Sequence, residues 1–279
     1  MSDQPIHIAI STCPNDTFAF GSLLEQRIDA PAMQFTLDDI QALNERLMRG
    51  EFDVAKASFH AALHLARDYC VLPVGAALGF GVGPLLLAAN EELSNRAPQA
   101  EDKVRCPGKW TTANLLYKLY CPNGPDAEHC VFSEIMPALQ QHDSDYGVVI
   151  HEGRFTYQQL GLHCAIDLGD KWERDTNVPL PLGGIVARKS LGNDKLKQIT
   201  QAIRDSLALA KAQPRSMLGV MSKYAQEFSE EVLMQHVKLY VNEATEDLGK
   251  QGRDALAMLA QRARSMGLID QDITLGIAD

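Results

Sequence analysis

Val148-Val149-Ile150-His151-Glu152-Gly153-Arg154-Phe155-Thr156-Tyr157 changes character at its fourth residue. Three β-branched apolar side chains in a row read as a buried strand, and the chain turns polar at His151. A buried strand of an α/β chain that ends on a histidine sets an imidazole at the carboxyl end of the sheet, where such sheets bind ligands. Imidazole is also the side chain whose ordinary pKa suits proton transfer near neutrality. His151 is therefore a candidate catalytic base, and a histidine making one structural hydrogen bond is the plain alternative. Glu152 and Arg154 are its candidate supports, or a surface ion pair worth about 0–1 kcal/mol.

Upstream, Glu134 to Gln141 has the pattern of a short helix, and Asp145 to His151 is the strand after it. The same phrase occurs earlier. Asp38 to Gly50 carries apolar Ile40, Leu43 and Leu47, opens on acidic residues and closes on glycine, so a helix is expected there. Phe52 to Ser58 follows as a strand ending in polar residues. Two such units predict two similarly built α/β halves, each offering a strand end, Ser58 or His151, to a shared cleft.

Ile6 to Ile10 predicts a first strand, and Pro14 suits the first turn of the helix after it, where its missing N–H is not needed. Ile28 to Leu37 reads as a loop and a second strand. From Asp194 onward the pattern is helical, over 195–213, 214–227, 229–241 and 249–266. Gly79 to Ala89 and Pro181 to Arg188 are glycine-marked strands suited to carry the chain between the halves. The expected division is a larger domain of 1–88 with 183–279 and a smaller one of 89–182, within the usual size range.

Composition limits the function. The chain has 279 residues, 46% hydrophobic and 22% charged, so it can bury a large core and is not a disordered type. Net charge is −10 and no run of Lys and Arg occurs, which speaks against nucleic acid or an anionic membrane as partner. No apolar stretch approaches the ~20 residues that span a bilayer. The first ten residues lack the basic and long apolar regions of a secretory signal, so a cytoplasmic protein is expected. The six cysteines form no C-x-x-C pair, so neither a zinc site nor a disulfide framework is expected, and most read as small buried hydrophobes.

Several motifs invite chemistry. Gly79-x-Gly81-x-Gly83 is not a dinucleotide fingerprint, because Pro84 and an extended apolar run follow where a helix is required. Those glycines suit a tight hinge or a close backbone approach. Thr111 and Thr112 precede a helical pattern; capping explains one of them, and the free N–H groups of such a helix start also suit a carboxylate. Ser58 has no nucleophile elbow around it, so it reads as a strand-end residue that hydrogen-bonds a ligand, with cationic Lys56 on the same strand face. His60 and His64 are four apart on an expected helix, but the pattern is not that of a zinc protease.

Taken in order, Ser11-Thr-Cys-Pro-Asn-Asp-Thr-Phe18, Lys56-Ala-Ser58, Gly79-x-Gly-x-Gly-Pro84, Thr111-Thr-Ala113, Ile150-His-Glu-x-Arg-Phe-Thr-Tyr157, Pro179-Leu-Pro-Leu-Gly183 and Tyr240-Val-Asn242 resemble the 1,4-dihydroxy-6-naphthoate synthase family of the futalosine route to menaquinone. The resemblance covers nearly the whole chain. It implies an α/β, two-domain fold like type II periplasmic binding proteins, with the substrate in the interdomain cleft. It implies a carbon–carbon lyase that converts cyclic dehypoxanthine futalosine, an anionic small molecule, to 1,4-dihydroxy-6-naphthoate and a three-carbon fragment without metal or organic cofactor. It further implies His151 as proton acceptor, Lys56, Ala57 and Ser58 as one substrate-binding segment, and Thr112 with Ala113 as the other, with Asn44 and Thr111 close by. Gly153 and Ala57 are smaller than the residues common at their positions, and segment 121–133 diverges and carries nothing over. Chorismate dehydratase of the same pathway, or a binding protein without catalysis, are the competing readings. Monomer and homodimer are both open.

Overall fold

Ile6, Ile8 and Ile10 are buried on one side of a strand while Ala9 packs on the other, so this strand is covered on both faces as a parallel strand inside an α/β layer must be. The computed structural model describes residues 4–150, 153–225 and 229–278. The chain opens with β1 (Ile6–Ser11), α1 (Pro14–Leu24), β2 (Met33–Asp38), α2 (Ile40–Met48), β3 (Val54–Ser58), α3 (Phe59–His64), β4 (Tyr69–Val71) and β5 (Ala77–Gly79). There follow β6 (Leu85–Ala88), α4 (Glu91–Ser94), β7 (Val104–Cys106), α5 (Thr112–Tyr120), β8 (Glu128–His129), α6 (Phe132–Gln140), β9 (Tyr146–Val149), α7 (Gly153–Thr156), β10 (His163–Asp167) and α8 (Leu168–Thr176). The last third is β11 (Leu180–Arg188), α9 (Asn193–Ala212), α10 (Leu218–Tyr224), α11 (Glu230–Tyr240), α12 (Glu243–Glu246) and α13 (Gly249–Ser265).

Two sheets result. The first has the order β2-β1-β3-β11-β4, with β5 also paired to β11. β1 runs parallel to β2 and β3, while β11 is antiparallel and sets Gly183 opposite Ser58 and Ile185 opposite Lys56. The second has the order β10-β6-β9-β7-β8, with β9 antiparallel to β6 and parallel to β7. Sheet membership changes between Gly79 and Leu85 and again between Asp167 and Leu180. Residues 85–88, assigned to the first unit by the sequence pattern, are thus hydrogen-bonded into the second sheet, and β11 rejoins the first sheet before residue 183. The glycines expected to mark a hinge stand at that first change. Gly81 and Gly83 both take positive φ, and a Cβ on Gly83 would lie 2.7 Å from Leu180 Cδ2 and 2.9 Å from Gly169 Cα.

The cores explain the rest. Helix α1 packs on β1, and α9, α10 and α11 pack on α1, so that Phe20, Ile199, Ile203, Met217 and Leu233 share one core with Ile8 and Ile10 of β1. A second core is continuous across both sheets, from Leu43, Phe52, Phe59 and Leu63 to Leu116, Tyr117, Tyr146 and Trp172. Trp172 is fully buried and donates its indole N–H to Pro179 O at 3.2 Å, just before β11. Cys70, Cys106 and Cys121 are buried as expected, while Cys164, on the edge strand β10, is exposed. The pattern over 214–227 resolves into a 3-10 turn at Pro214–Met217 and α10. Among the described residues no helix is long and apolar enough to cross a membrane.

Candidate active site

Ser58 ends β3, and two backbone facts fix where it points. Side chains alternate along a strand, so Lys56 and Ser58 share one face and Ala57 takes the other. Both Lys56 and Ser58 line a cleft of about 110 Å³, ample for a ligand rather than a single water. Ala57 packs in the core instead and does not line the cleft. Across the strand pair, Gly183 also lines the cleft; a Cβ there would lie 2.7 Å from Ala57 O, so the close approach of β11 to β3 requires glycine.

Beneath the cleft, Asn44 on α2 is fully buried and clamps Ser58 twice. Its Nδ2 donates to Ser58 Oγ at 3.0 Å, and its Oδ1 accepts from Ser58 N–H at 3.0 Å. The serine hydroxyl is thereby held in place, while Asn44 itself stands behind it. Lys56 is held differently. Its ammonium donates to Asp16 Oδ1 at 2.5 Å, and both residues are buried. Asp16 also accepts from Ser11 Oγ at 2.6 Å and Asn15 Nδ2 at 2.9 Å. The positive charge expected to face a ligand is therefore balanced within the wall.

The opposite wall is the start of α5. Thr111 is its N-cap, accepting from Asn114 N–H at 3.2 Å and donating its own hydroxyl to Gly108 O at 2.8 Å. Thr111, Thr112 and Ala113 all line the cleft. This helix start is tied to the first sheet. Thr112 Oγ1 donates to Leu182 O at 2.6 Å and accepts from His60 N–H at 3.4 Å, and His60 Nδ1 is 3.1 Å from Thr111 O. Gln41 of α2 accepts from Trp110 N–H at 3.3 Å and packs against Gly108. Burial, with the His64 and Lys118 charges nearby, pushes the His60 ring down to about 3, so it is neutral here. His60 and His64 rings stand 5.2 Å apart, with Trp110 edge-on to His64 at 4.9 Å.

His151 and Glu152 lie outside the described residues. Ile150, which precedes them in sequence, lines the cleft, so both strand ends singled out in the sequence converge there up to that residue. Arg154, the other candidate support of His151, is described. It pairs with Asp167 at 2.6 Å and donates to Gly83 O at 3.1 Å, tying α7 to the first crossing. Sequence reasoning gave no role to His236 or Tyr240 of α11, which also line the cleft, nor to Asn15, whose Oδ1 is 3.1 Å from His236 Nε2. Asn15 and Asp16 stand inside the Cys-Pro-Asn-Asp-Thr motif, the one signal that could have found them. Among the described residues no group of three or more His, Cys, Asp or Glu is arranged to hold a metal ion. Burial pushes the Cys121 thiol up to about 11 and the Cys106 thiol well above its ordinary value, which disfavours the thiolate that a nucleophile needs.

A family described as menaquinone biosynthesis matches residues 6–265. The chain is 42% identical over 277 residues to a 1,4-dihydroxy-6-naphtoate synthase of Streptomyces coelicolor, covering 96% of both chains. It is 38% identical over 269 residues to the enzyme of that name from Thermus thermophilus, covering 95% of this chain and 96% of that one. Among solved structures, the alkanesulfonate-binding protein of Xanthomonas axonopodis pv. citri superposes with a TM-score of 0.68 at 13% identity, over 97% of this chain and 96% of that one. The fold is that of the periplasmic binding proteins, two α/β units with a cleft between them.

Proposed function

The chain belongs to the menaquinone-biosynthesis family, and on that premise we propose that it is a carbon–carbon lyase converting cyclic dehypoxanthine futalosine to 1,4-dihydroxy-6-naphthoate. One observation carries this reading: a single cleft gathers Ser58 at the end of β3 and Thr111, Thr112 and Ala113 at the start of α5, beside Ile150. These are the segments that the resemblance assigns to the substrate. The synthase name borne by relatives that align end to end supports the choice of reaction.

The chemistry asks little beyond a positioned base. Removing one proton from the reduced bicycle starts ring opening and carbon–carbon cleavage, a three-carbon fragment leaves, and aromatisation of the remaining ring drives the step. His151 takes that proton, as imidazole does near neutrality. The N–H groups at the start of α5 receive the ring carboxylate, since a helix start favours an anion and the Thr111 cap fixes its direction. Ser58, held by Asn44, hydrogen-bonds the sugar-derived or quinol oxygens. We take the two sheets as two domains that close on the substrate and exclude water, in the manner of lid closure.

Incubating the purified protein separately with cyclic dehypoxanthine futalosine and with chorismate, then separating the products, tests the assignment. Formation of 1,4-dihydroxy-6-naphthoate from the first alone is expected. Dehydration of chorismate, or recovery of both compounds unchanged, would overturn it.

A further inference from the structure

The cleft has a charge problem. Of the described residues that line it, Lys56 and Asp16 carry formal charge at neutral pH, and they are paired with each other at 2.5 Å. The described lining is therefore neutral overall. A carboxylate drawn from water into such a cleft loses its hydration, and helix-start dipoles offset this only in part. Among the other described lining residues, His236 carries an imidazole, the side chain whose ordinary pKa allows a positive charge near neutrality.

The surroundings fix this ring. His236 is buried on α11, its Nε2 is 3.1 Å from Asn15 Oδ1, and its ring lies 4.5 Å from that of Tyr240. Asp16, as a carboxylate paired with Lys56, only accepts hydrogen bonds. Asn15 must then turn its Nδ2 to Asp16, at 2.9 Å, which leaves its Oδ1 facing the histidine. An amide oxygen also only accepts, so Nε2 of His236 carries a proton in every state of the ring. The second protonation belongs to Nδ1. Cys13 ahead of α1, Asp16 on α1, Lys56 on β3 and Tyr240 on the same helix line the cleft together with His236. Of the other elements packed against α11, β5 (Ala77–Gly79) carries no titrating side chain and α10 carries Lys223 and Tyr224.

We propose that His236 is a substrate-contacting residue that supplies the positive charge balancing the ligand's carboxylate, with Asn15 as the positioning residue that sets its tautomer. The proposal rests on the reading of the ligand as a naphthoate or its anionic precursor. In physical terms, anion binding favours the imidazolium form, so the protein takes up protons as it binds. Donors at the start of α5 and the His236 charge then act on one anion from opposite walls of the cleft.

Calorimetric titration with 1,4-dihydroxy-6-naphthoate, in buffers of different ionisation enthalpy at pH 7.5, reads that proton uptake directly. Wild type is expected to take up a fraction of a proton per site, and the carboxamide analogue of the product to cause none. His236→Gln keeps a polar side chain of similar reach and is expected to abolish the uptake. At pH 6 it is also expected to weaken product binding about ten- to a hundred-fold, the size of one charge-assisted hydrogen bond. His151→Gln is expected to keep the uptake. Uptake that persists in a folded His236→Gln protein, or vanishes instead in His151→Gln, would overturn the proposal while leaving the naphthoate reading intact. Failure of the wild type to bind the product would sink that reading and this one with it. A lowered melting temperature in His236→Gln with uptake unchanged would mark the ring as structural.

Discussion

Asn44 meets Ser58 through two hydrogen bonds, and both side chains are buried. Asn44→Ala removes the partner of the Ser58 backbone N–H as well as that of its hydroxyl. Leaving a buried donor unpaired costs about 1–3 kcal/mol, so the variant should unfold at lower urea concentration and bind product more weakly. Equal stability in urea would show that the clamp contributes nothing. His60 makes a separate prediction about pH. Its ring is held at about 3 in the folded protein, against an ordinary value near 6.5. Between those values the unfolded chain binds a proton that the folded chain refuses. The folded state therefore keeps its full advantage above about pH 6.5 and loses it as pH falls toward 3, at up to about 1.4 kcal/mol per pH unit. His60→Gln should show a shallower loss of stability between pH 6.5 and pH 4 than wild type. Parallel curves would contradict the assignment of a neutral buried ring. At this scale the sequence was legible where function sits beside a strand end or a helix cap, as at Ser58 and Thr111. Ala57 was legible too, since strand alternation turns it into the core, and the resemblance obscured that. His236 was not legible. Its contact with Asn15 joins residues 221 apart, and no local pattern announces such a meeting.

Elements carried stronger signals. The period of Ile40, Leu43 and Leu47, with Asp39 accepting from Gln41 N–H at 2.8 Å, produced α2 within two residues of its expected bounds. Strands β1, β2 and β3 followed from their apolar runs. The crossings were harder to bound, because β6 and β11 are continuous apolar stretches whose sheet partners are chosen by tertiary contact. Gly169 shows how tight that region is. Alanine in place of a helical glycine ordinarily stabilises by about 0.4–1 kcal/mol when the space is open. At Gly169, in α8, a Cβ would lie 2.2 Å from Val82 O, a backbone atom that cannot step aside cheaply. Gly169→Ala is expected to lower the melting temperature, while Gly219→Ala in α10, with nothing within 4 Å of its Cβ position, is expected not to. If both variants behaved alike, the crossing would not be as closely packed as described. Arg154 belongs to this scale also: it joins α7 to Asp167 and Gly83, so the segment after Glu152 is anchored to the crossing.

At the scale of the molecule, two sheets face a common cleft, and one continuous core runs beneath both of them. The repeated helix-then-strand phrase in the sequence foretold two α/β halves, but not this shared core, because Trp172 and Leu180 join one core with Phe59 and Leu63 only in the folded chain. Contacts between the halves gather at the start of α5, where Thr112 reaches Leu182 and Gln41 reaches Trp110. That is where the resemblance sets the substrate. The fold alone suits a ligand trap as well as an enzyme, so what separates the two is a proton acceptor in the cleft. Turnover of cyclic dehypoxanthine futalosine by wild type and by folded His151→Ala, measured side by side, tests this most directly. Wild type should form 1,4-dihydroxy-6-naphthoate, and the variant should be slower by about 10²–10⁴-fold, the usual contribution of a general base. Near-normal turnover by His151→Ala would contradict the assignment of the base.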